Sequence, residues 1–158
     1  MLHPWLAGTE EEFKEKFKGL YELGPVMGQS AATPYDKINE PSRMACLKGG
    51  RKPTFSVALE MLDAGRVRRV FDDWVKFGAE HADARGSVVI SEVYNYEKVK
   101  EVEEGTTAFP HREIGFHMSL VANYMDEGLD GVVKEWGDGF RSVLHGGERK
   151  QVYVFSLD

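Results

Sequence analysis

From Gly115 to Tyr124 the side chains alternate in character. Phe116, Met118, Leu120, Ala122 and Tyr124 fall on one side, and His117, Ser119, Val121 and Asn123 on the other. Successive strand residues point to opposite faces, so this run predicts a long strand with one apolar face. The other face is too mixed for a dry core, and Val121 is too apolar for plain solvent. Those two faces favour an antiparallel sheet with one wetter side, suited to a ligand floor or an oligomer interface.

Further strand patterns run over Phe55 to Leu62, Ser87 to Tyr94 and Gln151 to Leu157, with shorter ones at Val26-Met27 and Met44-Leu47. Val88, Val89, Ile90 and Val93 give the second of these its β-branched character. Three helices separate the strands. The first starts at Thr9, where Glu12 completes a capping box, and Gly24-Pro25 stops it. The second spans about 64–80 with a stripe of Val67, Val70, Phe71, Trp74 and Phe77. The third spans roughly 130–144, is weakened inside by Gly137 and Gly139, and ends at Gly146-Gly147. Gly28 to Arg43 reads as a long loop, a length often tied to function. The pattern predicts one α+β domain over 1–158: a largely antiparallel sheet of five or six strands, with about three amphipathic helices packed on one face.

The chain has 158 residues, 42% apolar and 29% charged, as in an ordinary soluble domain. A chain of this size hides roughly 70% of its unfolded surface. The net charge of −6 argues against nucleic acid and anionic membrane as partners. Arg66, Arg68 and Arg69 read as a solvated face beside Asp72 and Asp73. Cys46 is the lone cysteine, so no internal disulfide forms, which suits a reducing compartment. Met1 to Leu6 lacks the basic flank of a signal peptide, and no apolar run approaches a membrane span. The expected location is the cytoplasm.

Metal binding is not expected, because His3, His81, His111, His117 and His145 show no ligand spacing. No Gly-x-Ser-x-Gly elbow supports hydrolysis. Lys48 to Lys52 lacks the spacing of a phosphate loop and reads as a turn. His117, on the mixed face of the central strand, either moves a proton near neutral pH or is a satisfied, partly buried residue. Ser119 and Asn123 share its face and can orient a carbonyl or hydroxyl. Glu92 and Tyr94 share one face of the neighbouring strand, where an apolar setting would tune a carboxylate for acid–base work. Glu60 is a weaker candidate of the same kind. Tyr35 lies in the long loop, where it can cap a pocket.

Thr107-Ala108-Phe109-Pro110-His111-Arg112, feeding the alternating strand, resembles a turn of the substrate (C-terminal) domain of FAD-linked oxidases of the berberine bridge enzyme-like or vanillyl-alcohol oxidase type. Leu23-Gly24-Pro25, Asp83 to Ser87, Tyr124-Met125-Asp126 and Val152 to Phe155 resemble other parts of that domain. The resemblance implies a sheet that roofs a flavin and forms much of the substrate pocket, with a sheet-borne acid or tyrosine as base. It also implies an upstream FAD domain, yet the sequence has no glycine-rich flavin loop and no flavin-attaching His or Cys. No cofactor is therefore expected.

From Met1 and its orderly first helix, the expectation is a stand-alone protein that reuses the pocket without flavin. It would act as a cofactor-independent cyclase or isomerase on a polyketide-, phenol- or terpenoid-type molecule of secondary metabolism. His117, Glu92 and Tyr94 would be catalytic, and Tyr35, Arg112, Ser119, Asn123 and Tyr153 would contact substrate. Arg112 either holds a substrate anion or pairs with an internal carboxylate. A homodimer through the open sheet face is expected, since loss of a flavin domain bares apolar surface. The alternatives are a non-catalytic binding module, or a split oxidase subunit that takes flavin from a separate flavoprotein partner.

Overall fold

In the computed structural model the described residues are 2–40, 48–103, 105–109, 112 and 114–146. The chain divides into two compact units, residues 1–48 and 49–158.

In the first unit, Thr9 caps helix α1 (Glu10–Lys16). Its hydroxyl accepts from Glu12 N at 3.2 Å, and Glu12 Oε2 accepts from Thr9 N at 2.7 Å. The expected single helix breaks at Phe17 and resumes as α2 (Lys18–Glu22). Phe13 and Phe17 stay in contact across the break, with centroids 4.7 Å apart. Gly24, at φ +66°, turns the chain out of α2. Val26 and Met27 form no strand. They are exposed and follow that turn without a ladder partner.

The second unit holds an antiparallel sheet of three strands among the described residues: β1 (Thr54–Leu59), β2 (Val88–Val93) and β3 (Phe116–Val121). Their order is β1-β3-β2, so the strand with the clean alternation is central. Helix α3 (Ala64–Glu80) crosses from β1 to β2. The link from β2 to β3 carries the short α4 (Glu97–Lys100), and α5 (Asp130–His145) follows β3. With β3 between β1 and β2, this is a split β-α-β arrangement, and the class is α+β. The expected strands at 44–47 and 151–157 lie outside the described residues.

Strand β3 leaves the regular ladder sooner than its alternation predicts. Ala122 N donates to Pro53 O at 3.1 Å, but Pro53 has no N–H to return. Pairing resumes at Arg51 and Tyr124, whose N–H groups each reach the other's carbonyl at 2.7 and 3.2 Å. Tyr124 is buried, and its hydroxyl donates to Asp130 Oδ1 at 2.8 Å. Arg51 binds the other oxygen of Asp130 at 2.9 Å and Glu127 at 3.2 Å. Burial, reinforced by Asp130, pushes the Tyr124 phenol up to about 12. Asp83, in the 3-10 turn Ala82–Gly86, accepts from the N–H groups of Met125 and Asp126, both at 2.8 Å. Those N–H groups hold its carboxyl below the usual range.

The core lies between the sheet and the two long helices. Phe55 and Val57 of β1 and Met118 and Leu120 of β3 meet Val70 and Phe77 of α3 and Val133, Phe140 and Leu144 of α5. Burying each such side chain is worth about 1.5–3 kcal/mol. Phe77 stacks on Trp136 at 3.9 Å. Asp63 caps α3 by accepting from Arg66 N at 2.8 Å. The Arg66 guanidinium is not merely solvated: it donates to Leu144 O at 2.9 Å, packs over Gly146, and so closes the C-terminus of α5.

Candidate functional site

Antiparallel register fixes which residues share the face away from the helices. Glu92, His117 and Ala58 form one row across β2, β3 and β1. Ile90, Ser119 and Ser56 form the next, and Val88, Val121 and Thr54 the third. The face is open on one side only. Ser56 on β1 is 4% exposed, whereas Ile90 and Val88 on β2 are 42% and 43% exposed.

Three of the expected residues come together on that open side. Tyr94 OH donates to Glu92 Oε1 at 3.0 Å, and His117 Nδ1 lies 3.3 Å from Glu92 Oε2. One carboxylate therefore bridges a phenol and an imidazole. With Nδ1–H turned to Glu92, Nε2 is the nitrogen left to take or give a proton. Partial desolvation, then the hydrogen bond to Glu92, raises the Tyr94 pKa above its usual value. Tyr96 joins the group: its ring meets that of Tyr94 edge-on at 6.1 Å. Desolvation and the Glu92 charge raise its phenol as well. The repeat Tyr94-Asn95-Tyr96 carries the spacing that could have marked it.

The other expected residues do not converge there. Ser119 shares a 2.8 Å hydrogen bond with Ser56, a partner that emerges only once β1 is paired in register. Asn123 lies past the end of β3, six residues on from His117 and roughly 20 Å away if the chain stays extended. Its backbone N–H donates to Ser87 Oγ at 3.0 Å, and its side chain packs against Gly86. Arg112 pairs with no internal carboxylate among the described residues. It binds Val99 O at 3.4 Å and Thr107 Oγ1, and stacks over Phe109 at 5.5 Å, bracing the turn from within. Tyr35 is exposed and belongs to the first unit. Tyr153, Pro110, His111 and Cys46 lie outside the described residues. Glu60 is exposed at the bend after β1, where Gly115 approaches its carbonyl.

Two clefts lie on the helix side of the second unit, away from His117. One, of about 500 Å³, is lined by Asp63, Arg66, Arg69 and Ser142 among others. The other, of about 220 Å³, opens between α3 and α5 over Val89. Neither offers a free helix N-terminus. A pyrophosphate seeks helix N-termini, but Asp63 occupies that of α3, and Asp130 opens α5. Among the described residues no cluster of His, Cys, Asp and Glu could hold a metal ion. No described helix is long and apolar enough to cross a membrane.

The fold and this face define an α+β unit bearing an acid–base cluster on a half-open sheet. No protein-family model matches the chain, and no solved structure does. It is 28% identical over 140 residues to the FAD-linked oxidoreductase hasG of Aspergillus fumigatus, which covers 82% of this chain and 30% of that protein. It is 21% identical over 136 residues to the FAD-linked oxidoreductase anuG of Penicillium roqueforti, covering 82% of this chain and 27% of that protein. It is 22% identical over 131 residues to the FAD-linked oxidoreductase azaG of Aspergillus niger, covering 78% and 28%. The chain thus spans less than a third of the length of these curated relatives. It is a distant homologue of one portion of FAD-linked oxidoreductases, as its turn and strand motifs predict.

Proposed function

We propose that this chain is a flavin-free relative of an oxidase substrate domain. It acts as a cofactor-independent cyclase or isomerase on a phenol-, polyketide- or terpenoid-type small molecule of secondary metabolism. The carrying observation is the Glu92 carboxylate shared between His117 and Tyr94. His117 Nε2 takes a proton from an acidic C–H or O–H of the substrate. Glu92 holds the ring in the tautomer that permits this and supports the imidazolium that forms. The Tyr94 phenol turns from Glu92 to the developing oxyanion, and the imidazolium returns the proton at a second position. Substrate atoms and electrons balance without an oxidant. General acid–base catalysis of this kind contributes about 10²- to 10⁴-fold. The lone Cys46 suits a reducing, cytosolic setting.

Deuterium uptake from heavy water by a panel of phenolic and β-dicarbonyl compounds, read by mass spectrometry, tests the reading. The expected result is exchange with the wild type that Glu92→Gln and His117→Ala abolish. Turnover untouched in both variants would exclude the proton-transfer role.

The oxidoreductase names of the relatives favour a second reading, a split subunit that regains FAD chemistry with a flavoprotein partner. Co-purification with a partner as a yellow complex supports it. A colourless chain that catalyses exchange alone excludes it.

A further inference from the structure

We propose that the groove between α3 and α5 binds a small aromatic carboxylate, with its ring over Trp136 and Phe140 and its carboxylate on Arg69. The groove lies on the helix side of the sheet, so this site is independent of the acid–base cluster. Its two clefts share Arg69, Ser142 and Val143 and so meet at one place. The smaller is lined on its apolar part by Val70, Val89, Trp136, Phe140 and Val143. Its volume of about 220 Å³ falls below the roughly 300–1,000 Å³ of drug-sized pockets, so it takes one or two rings. Gly139 keeps that space open. A glycine inside a helix weakens it relative to alanine. Gly137 has a packing reason, the Phe55 ring against it. Gly139 has none: its φ is not left-handed, and a methyl group there would meet nothing within 4 Å. It lines the smaller cleft, where a side chain would take up room that a ring needs.

Charge selects the occupant. Along α3, Arg68 pairs with Asp72 and Lys76 with Glu80. The Arg69 side chain makes no ion pair or hydrogen bond among the described residues, although Asp73 stands one turn on. Among the charged residues that line the clefts, Arg69 is the one common to both. Asp63 lines only the larger cleft and already accepts from Arg66 N, and Asp73 lines only the smaller. A ligand whose ring fills the smaller cleft therefore presents its polar end to Arg69. A guanidinium matches a carboxylate with two parallel hydrogen bonds. Ser142 stands at the same junction and has a hydroxyl to donate. Arg66 keeps one nitrogen on Leu144 O and adds its charge from the larger cleft.

Titration calorimetry with naphthoate, naphthylmethanol and naphthylmethylamine tests the site. The wild type should bind naphthoate saturably, and the alcohol and the amine about tenfold more weakly or worse. Arg69→Gln should bring naphthoate down to the level of the alcohol and leave the alcohol unchanged. Gly139→Leu fills open space and gains helix propensity, so it should keep its far-ultraviolet spectrum and lose both ligands. No saturable binding of naphthoate by the folded wild type overturns the proposal. Equal or tighter binding of the alcohol or the amine overturns it too, because Arg69 would then not select the ligand. Naphthoate binding that survives in folded Gly139→Leu places the ligand elsewhere and also overturns it. If Gly139→Leu misfolds, Arg69→Gln at its exposed position decides alone.

Discussion

Gly137 of α5 lies directly against the aromatic ring of Phe55 on β1, and a methyl group at 137 would overlap that ring. The glycine that weakens α5 as a helix is what lets it seat on the sheet. Gly137→Ala gains about 1 kcal/mol of helix propensity, but overpacking a tight core costs about 1–3 kcal/mol. The backbone of α5 cannot step aside easily, because Val133, Phe140 and Leu144 anchor it on either side. The variant should be net destabilised, with a lower urea midpoint and an unchanged slope.

The Tyr124 phenol should titrate late. Its phenol is pushed up to about 12 by burial and by Asp130, above the unfolded value of about 10. A raised acid pKa favours the protonated folded form. That contribution is full below pH 10 and is lost as pH climbs from there through 12. Ultraviolet difference titration should show a late phenol that Tyr124→Phe removes, and the loss of stability above pH 10 should shrink in that variant.

Asp83 acts on the opposite side of neutrality. The N–H groups of Asp126 and Met125 hold its folded pKa down, so its contribution is present above the unfolded value of about 3.9 and fades as pH falls through the folded one. Asp83→Ala should lower stability at pH 7 and flatten part of the acid limb in denaturation followed from pH 7 to 2.

Arg66 closes α5 through Leu144 O. Arg66→Met keeps the apolar stem and removes the guanidinium donors. The expected loss is about 1 kcal/mol, with faster amide exchange confined to the last turn of α5.

Periodicity made much of this molecule readable. The two-residue alternation of 115–124 placed β3 in the centre with Met118 and Leu120 inward, and the same period set His117 beside Glu92 once β2 was paired. The Thr9–Glu12 capping box is a local signal and forms as expected, and the stripes of α3 and α5 send Val70, Phe77, Val133, Phe140 and Leu144 inward while Phe71 and Val132 stay exposed. What escaped depends on the third dimension. Pro53 ends the regular ladder at Val121 from another strand. Arg66 looks solvated in one dimension and finds its carbonyl 78 residues away. Arg112 donates to Thr107 Oγ1 in its own turn and to Val99 O of α4, two acceptors that its sequence neighbourhood did not single out. Ser56 was invisible as a neighbour of Ser119 until β1 supplied it.

The sheet has an order of birth as well as an order in space. Strands β1 and β2 both leave the ribosome before β3, yet each pairs only with β3 among the described residues. Until residue 121 has emerged, the two earlier strands lack the one strand that pairs with both among the described residues. Such non-local closure slows folding and exposes strand edges to other chains. A ribosome that stalls before Phe116 would therefore present two unmatched strands, a natural substrate for chaperones.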